Sequence, residues 1–260
     1  MIKFFRHIRR NLMETGKTGK YFKYAIGEIL LVVIGILIAL SINNWNESIK
    51  NSKALNTYYY RLLIDIQNDL NEIEIYQEYY RSSIDPIQKE IIKIQSPNYN
   101  TDSLYNNIST WMRFTREFSP NKSTYEDLLS TGNINLISNQ ELKTLILDLY
   151  TVKLPDYLFY QTRSNTITTN IRTTNYMDQI SYLDIFRNDS ANWYDPEFES
   201  QRPRREHKWL KEKESPEFLR FENILALTSE MTFGNMARLD KLQPELISLM
   251  DLIKNELNND

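Results

Sequence analysis

One carboxylate stands inside the most apolar stretch of the chain. Glu28 lies near the start of YAIGEILLVVIGILIALSI, residues 24–42. An ionisable group in a lipid-crossing segment is costly, and such groups mark ion or proton pathways and buried helix contacts. Gly35 follows seven residues later on the same helical face. Gly35 and Ala39 form a small-xxx-small pair and, with Gly27, define a face that admits a second helix. Spans joined through this face would bury Glu28, protonated or paired, and open a route to ion coupling. The plainer reading places Glu28 one to two turns inside the boundary, its carboxylate snorkelling toward Lys20 or Lys23. The plainer reading is favoured.

Other constellations offer less chemistry. There is no cysteine, which removes disulfides, thiol nucleophiles and thiolate metal sites. No HExxH, ExxH, GxSxG, P-loop or GxGxxG occurs, so no metal or cofactor is expected. The two histidines, His7 and His207, fall on opposite sides of the apolar stretch. Asp65, Asp69 and Glu72 share one helical face at ligand-like spacing, and a solvated polar face is the favoured reading. Arg202–Lys213 with Trp209 is basic, but Glu206 and Glu212 interrupt it. It reads as a charged loop or partner surface, not a nucleic-acid site. Asp102-Ser103-Leu104 and Asp189-Ser190-Ala191 match a short bacterial O-glycosylation pattern that chance supplies often.

Charge is distributed unevenly. The chain of 260 residues carries a net charge of −3. Residues 1–23 hold Lys3, Arg6, Arg9, Arg10, Lys17, Lys20 and Lys23 against Glu14, so this arm is +6 and the remainder −9. Met1, Phe4, Phe5, Ile8 and Leu12 fall on one helical face of that arm. Its cations fit lipid phosphates, with Lys3, Arg6, Arg9, Arg10 and Lys23 at the membrane interface. Trp45 takes the interfacial position at the other end.

The apolar run is about the roughly 20 residues that a single helical crossing needs. Ala39-Leu40-Ser41 resembles a signal-peptidase site, but the long basic arm, the interrupting Glu28 and the apolar length favour a retained anchor. The excess of Lys and Arg before the span places the N-terminus in the cytoplasm and the remainder on the far side. The expected organisation is a basic segment over residues 1–23, a transmembrane helix over 24–42, a linker over 43–54 and a helical domain over 55–260.

Beyond residue 54 the period is helical. Leu55, Tyr59, Leu62, Ile66, Leu70, Ile73, Tyr76, Tyr80, Ile84, Ile87, Ile91 and Ile94 step by three and four, as in a long amphipathic helix or a coiled-coil seam. Asp85-Pro86 either kinks that helix or restarts it, and Ser96-Pro97-Asn98 is a turn. A helix is expected from Asp102 to about Phe114. Ser123 to Glu126 and Ser138 to Glu141 have capping-box spacing, and Gly132 suits a C′ position. Pro155 is a candidate kink, residues 161–175 a polar helix and residues 186–216 an irregular excursion. Ser215-Pro216-Glu217 opens a last helix with its own apolar stripe and a kink at Pro244. Scarce glycine and these patterns predict an all-α fold: a transmembrane helix followed by an antiparallel bundle with two long amphipathic helices.

Two blocks carry a family resemblance. The first runs through Met1-Ile2-Lys3-Phe4-Phe5-Arg6, Tyr24-Ala25-Ile26-Gly27-Glu28-Ile29, Leu31–Leu40 and Ile42-Asn43-Asn44-Trp45-Asn46. The second runs from Thr124-Tyr125-Glu126-Asp127-Leu128 through Ser130–Ile137 to Tyr150. Together they resemble a family of uncharacterised single-span membrane proteins of Gram-negative bacteria, known as a domain of unknown function. Ser41 departs from the pattern. The resemblance implies an inner-membrane protein with a helical outer domain and implies no activity.

The expectation is a single-pass inner-membrane protein with a periplasmic helical domain that binds or scaffolds, and not an enzyme. Its expected partners are the lipid bilayer and a second copy or another membrane protein, with no nucleic acid. The alternative is an oligomeric, ion-coupled channel or motor component that uses Glu28.

Overall fold

The computed structural model describes residues 18–99, 117–171 and 208–259. Helix α1 spans Thr18–Ile94, α2 Ser123–Ser130, α3 Gln140–Asp148, α4 Leu154–Ile171 and α5 Pro216–Asn259. Asn133–Leu136 and Lys208–Lys211 are short 3₁₀ turns, and Leu149–Lys153 is a π-helical turn. No strand occurs among the described residues. The expected all-α class is what the chain adopts. The helix expected from Asp102 to Phe114, the glycosylation-like tripeptides, both histidines and most of the 186–216 excursion lie outside the described residues.

Residues up to Thr57 form one compact unit and residues from Tyr58 a second. In the first, α1 has no glycine or proline break from Leu40 to Thr57, and residues 43–54 are helical.

In the second unit, α1 buries Tyr59, Leu62, Ile66, Ile73, Tyr80, Ile84, Ile87 and Ile94. This is the stripe that steps by three and four, and it is buried within the chain. Each fully buried Ile contributes about 2 kcal/mol through apolar surface removed from water. Pro86 does not restart the helix; α1 runs through it to Ile94. Ser96 N–H then donates to the Lys93 carbonyl at 2.9 Å, and Pro97 makes the turn.

Helix α5 packs antiparallel to α1. Gln77 donates to Asp240 at 2.7 Å, and further along Gln95 bonds Glu222. It is antiparallel to α3 and α4 as well: Asn139 reaches Glu256, Lys153 reaches Glu245 and Arg238 covers Tyr160. The stripe Phe218, Phe221, Leu225, Leu239, Leu242, Leu246, Leu249 and Ile253 supplies the buried face of α5. Near its start Ile87, Ile94, Leu210, Phe218, Phe221, Ile224 and Leu225 close one end of the core, with Trp209 packed against them. Trp209 is half-buried, 5.5 Å from Phe221, while Lys208, Lys211 and Glu212 beside it are exposed, and residues 202–207 of the charged cluster lie outside the described residues.

The helix starts correct two expected caps. Ser123 is the first residue of α2, with Lys122 at N-cap and no side-chain cap bond, so no capping box forms there. The α3 cap falls one residue later than Ser138: Asn139 Oδ1 accepts from Leu142 N–H at 3.1 Å. Ser215 does cap α5, its Oγ accepting from Phe218 N–H at 3.2 Å, with Pro216 first in the helix. Gly132 ends α2 at φ 71°, a left-handed conformation that glycine reaches without a Cβ penalty.

Pro155 acts through the π-turn before it. A proline has no N–H and its ring crowds the carbonyl four residues back. The Leu154 N–H reaches the Leu149 carbonyl, five residues back, and the widened turn admits the proline. The polar stretch 161–171 is helical, and part of it faces inward. Ser164, Asn165 and Thr168 of α4 are buried, as are Thr228, Ser229, Thr232 and Asn235 of α5. Thr168 donates to the Ser164 carbonyl and Thr232 to the Thr228 carbonyl, so these hydroxyls are satisfied by their own helices. Asn235 is 1% exposed, and neither its Oδ1 nor its Nδ2 has a hydrogen-bond partner among the described residues.

Candidate functional site

The first site residues lie in the apolar run of α1. From Phe22 to Trp45 the large apolar side chains of α1 are exposed, and none of its most apolar window is buried. A run of this kind in water far exceeds the few hundred Å² of apolar patch that soluble monomers expose. The helix is long and apolar enough to cross a membrane. Glu28 is partly covered, and Gly27, Gly35 and Ala39 are exposed. A Cβ added at Gly27 or Gly35 would meet nothing within 4 Å among the described residues. Lys23 and Trp45 are exposed at the two ends. Lys3, Arg6, Arg9 and Arg10 lie outside the described residues.

The second cluster overturns the reading of Asp65, Asp69 and Glu72 as a solvated face. Glu72 is exposed, Asp65 is half-buried, and Asp69 is 1% exposed. Asp69 Oδ1 accepts from the Asn121 backbone N–H at 2.9 Å and from Asn121 Nδ2 at 2.6 Å. Asp65 Oδ2 accepts from Thr124 N–H at 3.4 Å. Carboxylates of α1 therefore take the place of a local cap, holding the entry to α2. Burial pushes the Asp69 carboxyl up to about 6; the hydrogen bonds from Asn121 oppose that rise, and the charges of Asp65 and Glu72 add to it. Tyr125 of α2 stacks on Tyr150 of the π-turn, centroids 4.3 Å apart and planes 7° from parallel. Burial, and then the charges of Asp69 and Asp65, raise the Tyr150 hydroxyl above its usual range.

Above this, Gln161 splices the chain entering α2 into the core. Its Oε1 accepts from Phe118 N–H at 2.8 Å, and its Nε2 donates to the Phe118 carbonyl at 3.0 Å. Phe118 meets Tyr157 edge to face at 5.7 Å.

A groove between the first turns of α4 and the middle of α5 completes the set. Its volume is about 170 Å³. Tyr157 and Leu242 form the floor, both nearly fully buried. Lys153, Asp156, Arg238, Lys241 and Glu245 form the rim. Lys153 pairs with Glu245 at 2.6 Å and Asp148 at 3.2 Å, and these bonds hold its ammonium above the usual range. Arg238 is set in place by α5 itself and by α4. Its Nη1 donates to the Gly234 carbonyl at 3.0 Å, and its Cζ lies 3.8 Å from the centre of the Tyr160 ring.

The groove residues did not stand out in sequence, because α4 and α5 are remote in the chain and each cation reads alone as a surface charge. Asp69 did carry a signal: it falls between Ile66 and Ile73 at steps of three and four, inside the apolar stripe.

No curated protein and no solved structure matches the chain. A family of unknown function, DUF6090, matches residues 28–165. That interval runs from Glu28 through Asp69, Asn121 and Tyr150 to Tyr157 and Gln161, and stops before Arg238 and Lys241. The match takes in more than half of the chain, which belongs to the DUF6090 family of unknown function.

Proposed function

We propose that this chain is a single-pass inner-membrane protein whose helical domain lies in the periplasm and binds or scaffolds a partner, without catalysis of its own. The observation that carries the binding reading is the groove of α4 and α5, an apolar floor inside a charged rim. Such a floor with a few placed polar groups is the usual form of a ligand site. The exposed apolar run of α1 supports the anchor, and the +6 arm before it supports a cytoplasmic N-terminus. Lipid is one partner in this reading; a second copy or another membrane protein is the other.

Two measurements test it. Alkaline phosphatase fused at residue 260 is active on this topology, and a fluorescent protein that matures only in the cytoplasm is dark there. The reverse pattern refutes the orientation. Extraction of the native complex in mild detergent, with its mass measured, tests the scaffold. A lone monomer without a partner counts against it.

A second reading draws on Glu28 and the open space at Gly27 and Gly35. In it, spans associate through the Gly27, Gly35 and Ala39 face and Glu28 serves an ion-coupled channel or motor component. Titration of Glu28 in lipid bilayers by NMR decides: an ordinary carboxylate value ends this reading.

A further inference from the structure

Around the α4–α5 groove Lys153, Arg238 and Lys241 face Asp148, Asp156 and Glu245, equal in number but unevenly placed. Lys153 is engaged by Glu245 and Asp148. Arg238 and Lys241 form no ion pair among the described residues, so these two cations are left uncommitted at the rim. Arg238 and Lys241 are three residues apart, so they share a face of α5.

The guanidinium is held before any ligand arrives. Tyr160 supports one face of it and the Gly234 carbonyl takes one of its five N–H groups. Gly234 also provides the room: a Cβ there would come within 3.2 Å of Arg238 Nη1. A planar fork fixed in this way suits the two oxygens of a carboxylate or phosphate, and its pre-organisation lowers the entropic cost of binding.

Size narrows the ligand. At about 170 Å³ the groove is smaller than the roughly 300 Å³ at which sites for drug-sized ligands begin. Nucleotides and large cofactors are too big. Tyr157 and Leu242 on the floor offer contact to a small apolar body.

We propose that this groove binds a small organic anion, its oxyanion on Arg238 and Lys241 and its apolar part on Tyr157 and Leu242. The inference deepens the reading of the domain as a binding module and rests on it. It is independent of the compartment and of Glu28.

Calorimetric titration of the full chain in detergent micelles tests it, with benzoate, phenyl phosphate and benzyl alcohol as probes. At least one anion binds, and the stronger of the two tells a carboxylate from a phosphate site. Benzyl alcohol, with the same ring and no charge, binds at least tenfold more weakly. Arg238→Gln lowers anion affinity at least tenfold. Lys241→Gln, at an exposed position that leaves folding intact, lowers it severalfold. Equal binding of the alcohol, no binding of either anion, or full affinity in the folded Lys241→Gln and Arg238→Gln variants overturns the proposal. If the chain captures a partner from membranes but no anion, this inference falls and the scaffold reading stands.

Discussion

Asp69 is a carboxylate placed where an apolar residue would satisfy the helix pattern. Its burial opposes ionisation, and Asn121 recovers part of the cost by donating from both backbone and side chain. In the folded chain the group takes up a proton at about pH 6, whereas unfolded it does so near 3.8. The folded state therefore binds the proton first, and this residue's contribution to stability is complete below pH 3.8 and lost as pH rises through 6. Chemical denaturation of the wild type and of Asp69→Asn at pH 7 and pH 4 isolates the effect. The wild type gains on the order of 2–3 kcal/mol more than the variant on acidification, from a shift of about two pKa units. Equal gains would assign the titration elsewhere. Gln161 poses the opposite case, a buried polar group bonded through both its oxygen and its nitrogen. Gln161→Leu strands the Phe118 N–H and carbonyl together and costs at least about 2 kcal/mol by the same denaturation measurement.

At the scale of elements, local signals and tertiary ones divide the work. Ser215 and Pro216 start α5 as their types predict, because that cap is made within one turn of chain. Ser123 fails as a cap because Asp69 and Asp65, more than fifty residues earlier, hold the backbone of the loop and the first turn of α2. No local rule sees that partner. The long stripe of α1 was legible, since a period repeated over many turns leaves little freedom. The groove was not, because it exists only when the helix after Pro155 lies against the middle of α5. Gly234 shows a helix position with two opposed demands. Gly234→Ala removes a glycine from a helix interior, worth up to about 1 kcal/mol, or roughly 2–4 °C in Tm for a domain of this size. The same methyl crowds Arg238 Nη1. The expected result is a higher melting temperature together with weaker benzoate binding in calorimetry.

For the whole molecule, the described residues comprise two units with different surfaces. The unit up to Thr57 exposes apolar side chains along its helix, while the unit from Tyr58 folds its own around a core. Both tendencies were visible in sequence, one as an unbroken apolar run and the other as a stripe. What sequence did not show is how polar the core becomes along α4 and α5. Ser164, Asn165, Thr168, Thr228, Ser229, Thr232 and Asn235 are all buried there, and Asn235 has no hydrogen-bond partner among the described residues. Water entering that layer would solvate Asn235 and displace few apolar contacts. By contrast, parting Leu239, Leu242, Leu246 and Leu249 from their neighbours exposes only hydrocarbon. The helical domain should accordingly breathe unevenly. In native-state hydrogen exchange, amides of residues 164–168 and 228–235 should exchange at least tenfold faster than those of 239–249, through an opening that leaves the leucine-rich half closed. Uniform protection along α5 would mean that it opens only as one piece. With the unequal exchange expected, the polar layer is a hinge line in the folding landscape, a place where the bundle can part without coming apart.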